Sequence, residues 1–166
     1  MKLSPYTIKL FMPDGNSNNI KIINKMNWTG VGLEIAREAL QQHKTRVELK
    51  EAGIYILIGY EENNDLPIIY IGQGDGVGSR LESHDKKKDF WDKALIFVSN
   101  NGGLNRGHIT WLEWALIKLA SDMKRCKIDN TVTPTEPILT ESEKADTKEF
   151  LNEILSILPL LEVRVF

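Results

Sequence analysis

The chain is short of cysteine, of long apolar runs and, over one central stretch, of positive charge. Cys126 is the only cysteine among 166 residues. It can form no intramolecular disulfide, and a cysteine-based zinc site is out of reach. No apolar run approaches the ~18 residues that cross a bilayer, so no membrane association is expected. The opening residues, MKLSPYTIKLFMPDGN, lack the uninterrupted apolar segment and small-residue cleavage site of a secretory signal. A cytoplasmic protein is the expectation. There is no internal repeat and no low-complexity segment. The glycine-rich stretch Gly72–Gly78 lacks the lysine and spacing of a phosphate-binding loop or a dinucleotide-binding turn.

What remains is the composition of a globular domain, 42% hydrophobic and 27% charged, long enough to bury a real core. The formal net charge is −2, which argues against a strongly basic nucleic-acid binder, but it is unevenly spread. Residues 1–50 and 80–127 each carry +4, whereas 51–79 and 128–166 each carry −5. The positive segments could line one face and meet phosphates. Ordinary solvated charge explains the distribution equally well.

Loose alternation over Tyr6–Met12, the turn Pro13-Asp14-Gly15-Asn16 and the apolar Ile20–Ile23 predict an N-terminal β-hairpin. Between Val31 and Gln42 the pattern is mixed, and we expect a short extended piece followed by a helix over Arg37–His43. Gly53–Tyr60 (GIYILIGY) and Ile68–Gly72 (IIYIG) read as two strands joined by a polar tip. Asp75 is the expected cap of a helix reaching Asp85, with Val77, Leu81 and His84 on its inner face. Arg80 and His84, four residues apart, lie on one side of that helix. Ala94–Val98 supplies a third strand. Asn105 could cap a helix through Met123, with Ile109, Leu112, Leu116 and Leu119 as its apolar stripe. Glu113 interrupts that stripe, and a carboxylate beside a buried stripe is costly without a partner. Pro134 and Pro137 mark a connector, and Thr140–Glu143 has the capping-box form at the start of an amphipathic helix that Pro159 ends. That acidic helix is expected to pack back on the domain, with a protein partner as the alternative.

Taken singly, the candidate residues have plain readings. Tyr55 and Tyr70 are ordinary hairpin packing residues, Arg80 and Glu113 could form a seam salt bridge, and His84 could be a satisfied core histidine. Lys86, Lys87 and Lys88 read as a solvated run. No partner for His43 or His108 is evident.

Together they are more specific. Gly53-Ile54-Tyr55 and Tyr70-Ile71-Gly72, followed by Arg80, His84, Glu113 and Asn130, resemble the signature of the GIY-YIG nuclease superfamily across residues 53–130. The fourteen-residue spacer Ile56–Ile69 is long for that family and implies a longer hairpin tip. The flanking pieces are similar to those of stand-alone prokaryotic members. The resemblance implies an α+β fold with a small central three-stranded antiparallel or mixed sheet flanked by helices. It implies an N-terminal hairpin extension (1–50), a nuclease domain (51–130) and a connector with a C-terminal helix (131–166). It further implies Mg²⁺-dependent endonuclease activity on DNA, with Mn²⁺ as a substitute, while RNA stays open as a substrate. Glu113 would hold a single Mg²⁺, which keeps most of its waters and needs few carboxylates. Arg80 would pair with the scissile phosphate, Tyr55 would act as base or water-positioning residue, and Tyr70 would orient the water or phosphate. A phenol pKa of ~10 suits a base poorly, so Arg80 and the metal would have to lower it. His84 would assist proton transfer or contact phosphate, Lys86, Lys87 and Lys88 would meet the DNA backbone, and Asn130 would orient the site. The alternative is a nucleic-acid-binding or structural module with this fold and little cleavage.

Overall fold

The computed structural model describes residues 4–166. Gly53–Tyr60 forms β4, an eight-residue strand buried at every position except its last. Continuous burial means that both faces of the sheet are covered, which is why this strand reads as an unbroken apolar run. β4 pairs on one side with β5 (Pro67–Gly74) and on the other with β6 (Trp91–Ser99), both antiparallel. The expected hairpin and third strand are therefore present, although β6 begins three residues before Ala94.

The small three-stranded sheet is not. The sheet has seven strands in the order β1-β2-β3-β6-β4-β5-β7, and the expected trio forms only its middle. The strands β1 (Ile8–Phe11) and β2 (Ile20–Lys25) make the N-terminal hairpin, and β3 (Gly30–Ala36) joins β2 to β6. A strand as apolar as β6 cannot leave an edge unpaired in the interior, and β3 fills that edge from Lys93 to Ser99. At the other end β7 (Lys127–Ile128) adds the one parallel pairing, against Ile68 and Ile69. Alternation reveals which face a residue takes, but not which strand lies beside it.

The two faces carry separate cores. Ile54, Ile56, Ile69, Ile71 and Phe97 meet α3 (Arg106–Met123) and α4 (Glu141–Ile157). Tyr55, Leu57, Ile96, Leu33 and Ile35 meet α2 (Val77–Lys87) and Leu40 of the short α1 (Leu40–His43), which continues a single 3-10 turn at Arg37–Ala39. Asp75 does not cap α2; Gly76 occupies the cap position and no side chain bonds there. Asn105 does cap α3, and His108, which sequence left without a partner, completes the box: its backbone N–H donates to Asn105 Oδ1 at 2.9 Å and its Nδ1 accepts from the Asn105 N–H at 3.1 Å. Thr140 and Glu143 cap α4 in the same reciprocal way. Phe150, Leu151 and Ile154 of α4 are buried in the domain's own core, so its apolar face is already occupied. Trp28 packs tilted against Phe150 at 5.3 Å and lies so close over Gly30 that a β-carbon there would overlap the indole. Among the described residues no helix is long and apolar enough to cross a membrane.

Candidate active site

The β4–β5 register sets Tyr55 opposite Gly72, and Tyr70 opposite Leu57. Strand alternation turns both tyrosines toward α2. Tyr55 is fully enclosed, 0% exposed, whereas Tyr70 remains half-buried. Their rings stack at 6.3 Å. On the inner face of α2, His84 fits between them, 5.5 Å from the Tyr55 ring and 4.8 Å from that of Tyr70. Its Nε2 lies 2.7 Å from the Tyr55 hydroxyl.

The electrostatics set the charge state of that pair. Burial, assisted by the positive charges of Arg80, Lys88 and Lys87, pushes the His84 imidazole down from 6.5 to about 4. A neutral imidazole has one N–H donor and one acceptor nitrogen, so in the tautomer with its proton on Nδ1 the Tyr55 O–H donates to Nε2. Burial in turn pushes the Tyr55 phenol well above its ordinary value, with Tyr70 and Glu113 adding to the rise and Arg80 opposing it. The expectation that Arg80 lowers the phenol pKa is thus right in sign but outweighed by desolvation.

Arg80 itself is exposed at the surface of α2, and its guanidinium is held in the charged form first by Tyr55 and then by Tyr70. Glu113 stands on α3, against the other face of the sheet, yet within electrostatic range of both Arg80 and Tyr55. Burial raises its carboxyl pKa and Arg80 pulls it back. Among the described residues, neither Arg80 nor Glu113 has an ion-pair partner, so the plain seam salt bridge between them does not form.

The remaining candidates divide. Asn130 clamps the YIG strand: its Oδ1 accepts from the Ile71 N–H at 3.0 Å and its Nδ2 donates to the Ile71 carbonyl at 2.8 Å. One side chain thereby continues the pairing that β7 begins. Lys88 is bound to Asp129 at 2.6 Å while lying 4.4 Å over the Tyr70 ring, so its charge helps to fix that ring. Lys86 and Lys87 are exposed.

Arg37 was missed from sequence. It donates from Nε to Asp85 Oδ1 at 2.8 Å and from Nη2 to the Asp85 carbonyl at 2.7 Å, with a further bond to the Trp91 carbonyl. These bonds anchor the C-terminal half of α2, next to His84. Nothing in the local pattern of a residue 48 positions away signals this.

No family model, curated protein or solved structure matches the chain. The chemistry of the site therefore rests on its own geometry. Among the described residues no three His, Cys, Asp or Glu side chains gather into a metal cage, a donor set that does not fit a protein-enclosed ion. A lone half-buried carboxylate with no protein cation does fit a hard ion that keeps most of its water shell and takes its other ligands from a phosphate. As a chemical device, the site is a neutral phenol–imidazole pair flanked by a second phenol, a guanidinium without an ion pair and a carboxylate.

Proposed function

We propose that the chain is an endonuclease that hydrolyses phosphodiester bonds in DNA, with the site described above in a GIY-YIG-like arrangement. The observation that carries this reading is the 2.7 Å bond from the Tyr55 hydroxyl to His84 Nε2, with Tyr70 and Arg80 against it. A phenol bonded to a neutral imidazole can take a proton at its oxygen while passing its own to Nε2, and neither group need carry a net negative charge. Tyr70, the phenol that solvent reaches, orients the attacking water. Arg80 pairs with the scissile phosphate, and its lack of a carboxylate partner leaves the guanidinium available. Glu113 holds Mg²⁺, for which Mn²⁺ would substitute; when bound, the ion would stabilise charge on the leaving 3′-oxygen. Lys86 and Lys87 contact the backbone and Asn130 keeps the Tyr70 strand in place.

One observation favours a second reading, a nucleic-acid-binding module with little cleavage: Tyr55 is closed to solvent. The test is incubation of wild type and Glu113→Ala with plasmid, branched and single-stranded DNA and with RNA, in Mg²⁺ or in EDTA. Cleavage by wild type in Mg²⁺ alone supports the enzyme reading. Binding without cleavage by either protein supports the module, and equal cleavage by both removes Glu113 from the mechanism.

A further inference from the structure

The apolar stripe of α3 is filled by Ile109, Leu112, Leu116 and Ala120, all buried. Trp114, the residue after Glu113, points elsewhere. It stays half-buried and walls a cavity of about 530 Å³ together with Ile117, Lys118, Ile128, Asn130 and Thr133. That volume lies within the usual range for small-molecule sites. Trp111 packs against the indole at 5.8 Å in a tilted arrangement, and Trp111 Nε1 donates to Glu136 Oε1 at 3.2 Å.

Two features identify an occupant. An indole held by a tilted contact with a second indole offers a π-face for stacking, which any nucleobase can use because every base has one. Asn130 commits one lone pair and one N–H to Ile71, leaving one acceptor and one donor for a ligand. A base edge presents the complementary donors and acceptors. Asn130 also ties this cavity's wall to the strand that carries Tyr70, through its two bonds to the neighbouring Ile71. Lys118 on the rim is held by Asp122 at 3.3 Å, so the cavity is not a strongly cationic phosphate cradle.

We propose that this cavity receives one unpaired base of the nucleic-acid substrate, stacked on Trp114. The inference rests on the nuclease reading and sharpens it: the substrate has a single-stranded or extruded nucleotide, because a base stacked within a duplex cannot enter.

The test is binding in EDTA, where cleavage is absent, measured by fluorescence anisotropy on single-stranded, branched and fully duplex DNA. Trp114→Ala should weaken binding to the single-stranded and branched substrates about tenfold and leave duplex binding unchanged. Trp114→Phe should bind nearly as wild type. Ser121→Trp, which adds bulk at an exposed position on the cavity wall, should reproduce the tenfold loss, and it keeps the proposal falsifiable if Trp114→Ala does not fold. If both variants bind like wild type, or weaken duplex binding equally, the base pocket is overturned and the nuclease reading stands. If wild type neither binds nor cleaves any nucleic acid, both readings fall.

Discussion

Gly72 lies directly beneath the Tyr55 ring, so close that a β-carbon in its place would overlap the phenol oxygen. The last glycine of the YIG triplet is thus a hole shaped for the tyrosine of the GIY triplet, and the two tripeptides form one packing unit. Gly72→Ala should cost about 1–3 kcal/mol, because the obstructing ring is enclosed and cannot swing aside. Urea denaturation would measure that loss. Histidine NMR on the same variant should find His84 titrating nearer 6.5 where the displaced ring admits water to the imidazole, because burial is the first cause of its low value.

His84 predicts the acid limb of stability. Its folded value of about 4 lies below its unfolded value of 6.5, so between these the unfolded chain binds more protons. The group's contribution is full above pH 6.5 and is lost as pH falls toward 4. The loss should be on the order of 2 kcal/mol. Denaturation curves collected across that window should flatten in His84→Gln, which keeps a hydrogen-bonding group but does not titrate. Cleavage, if His84 accepts the proton, should hold down to about pH 5 rather than fall away near 6.5. A limb centred at 6.5 would remove His84 from the proton path.

Glu113 should separate stability from activity. A half-buried carboxylate without an ion pair weakens the fold, and its raised pKa records that cost. Glu113→Gln should melt at the same temperature as wild type or higher, by up to about 1 kcal/mol in stability, while cleavage is lost. A clear drop in melting temperature would instead give Glu113 a structural role.

Asn130→Ala should remove both bonds to Ile71 and leave a strand-edge N–H and C=O unpaired. The expected cost is about 1–3 kcal/mol. Amide hydrogen exchange should locate it at Ile71, with Tyr70 loosened beside it.

Trp28→Phe should be close to neutral. The indole nitrogen of Trp28 is buried with no hydrogen-bond partner, so losing that N–H offsets part of the lost packing on Phe150. Calorimetric melting within a few degrees of wild type is the expected result.

The sequence by itself determined the local units. Alternation and turn residues specified the β4–β5 hairpin, Asn105 and Thr140 specified where two helices begin, and the tripeptides marked the residues around Tyr55. These signals are short-range, carried by the bonds and periodicities of neighbouring residues. Only the tertiary structure decided what lay beside them. Pairing of β3 with β6 added β1–β3 to the expected three strands and β7 on β5 made seven, because strand partners are chosen by edges far apart in the chain. The bond between Tyr55 and His84, the clamp of Asn130 on Ile71 and the anchoring of Asp85 by Arg37 join residues 29, 59 and 48 positions apart. Burial then settled the ionisation. The same sheet and helix that enclose Tyr55 withdraw water from its hydroxyl and from the imidazole beside it, keeping both neutral, which no spacing of residues along the chain encodes.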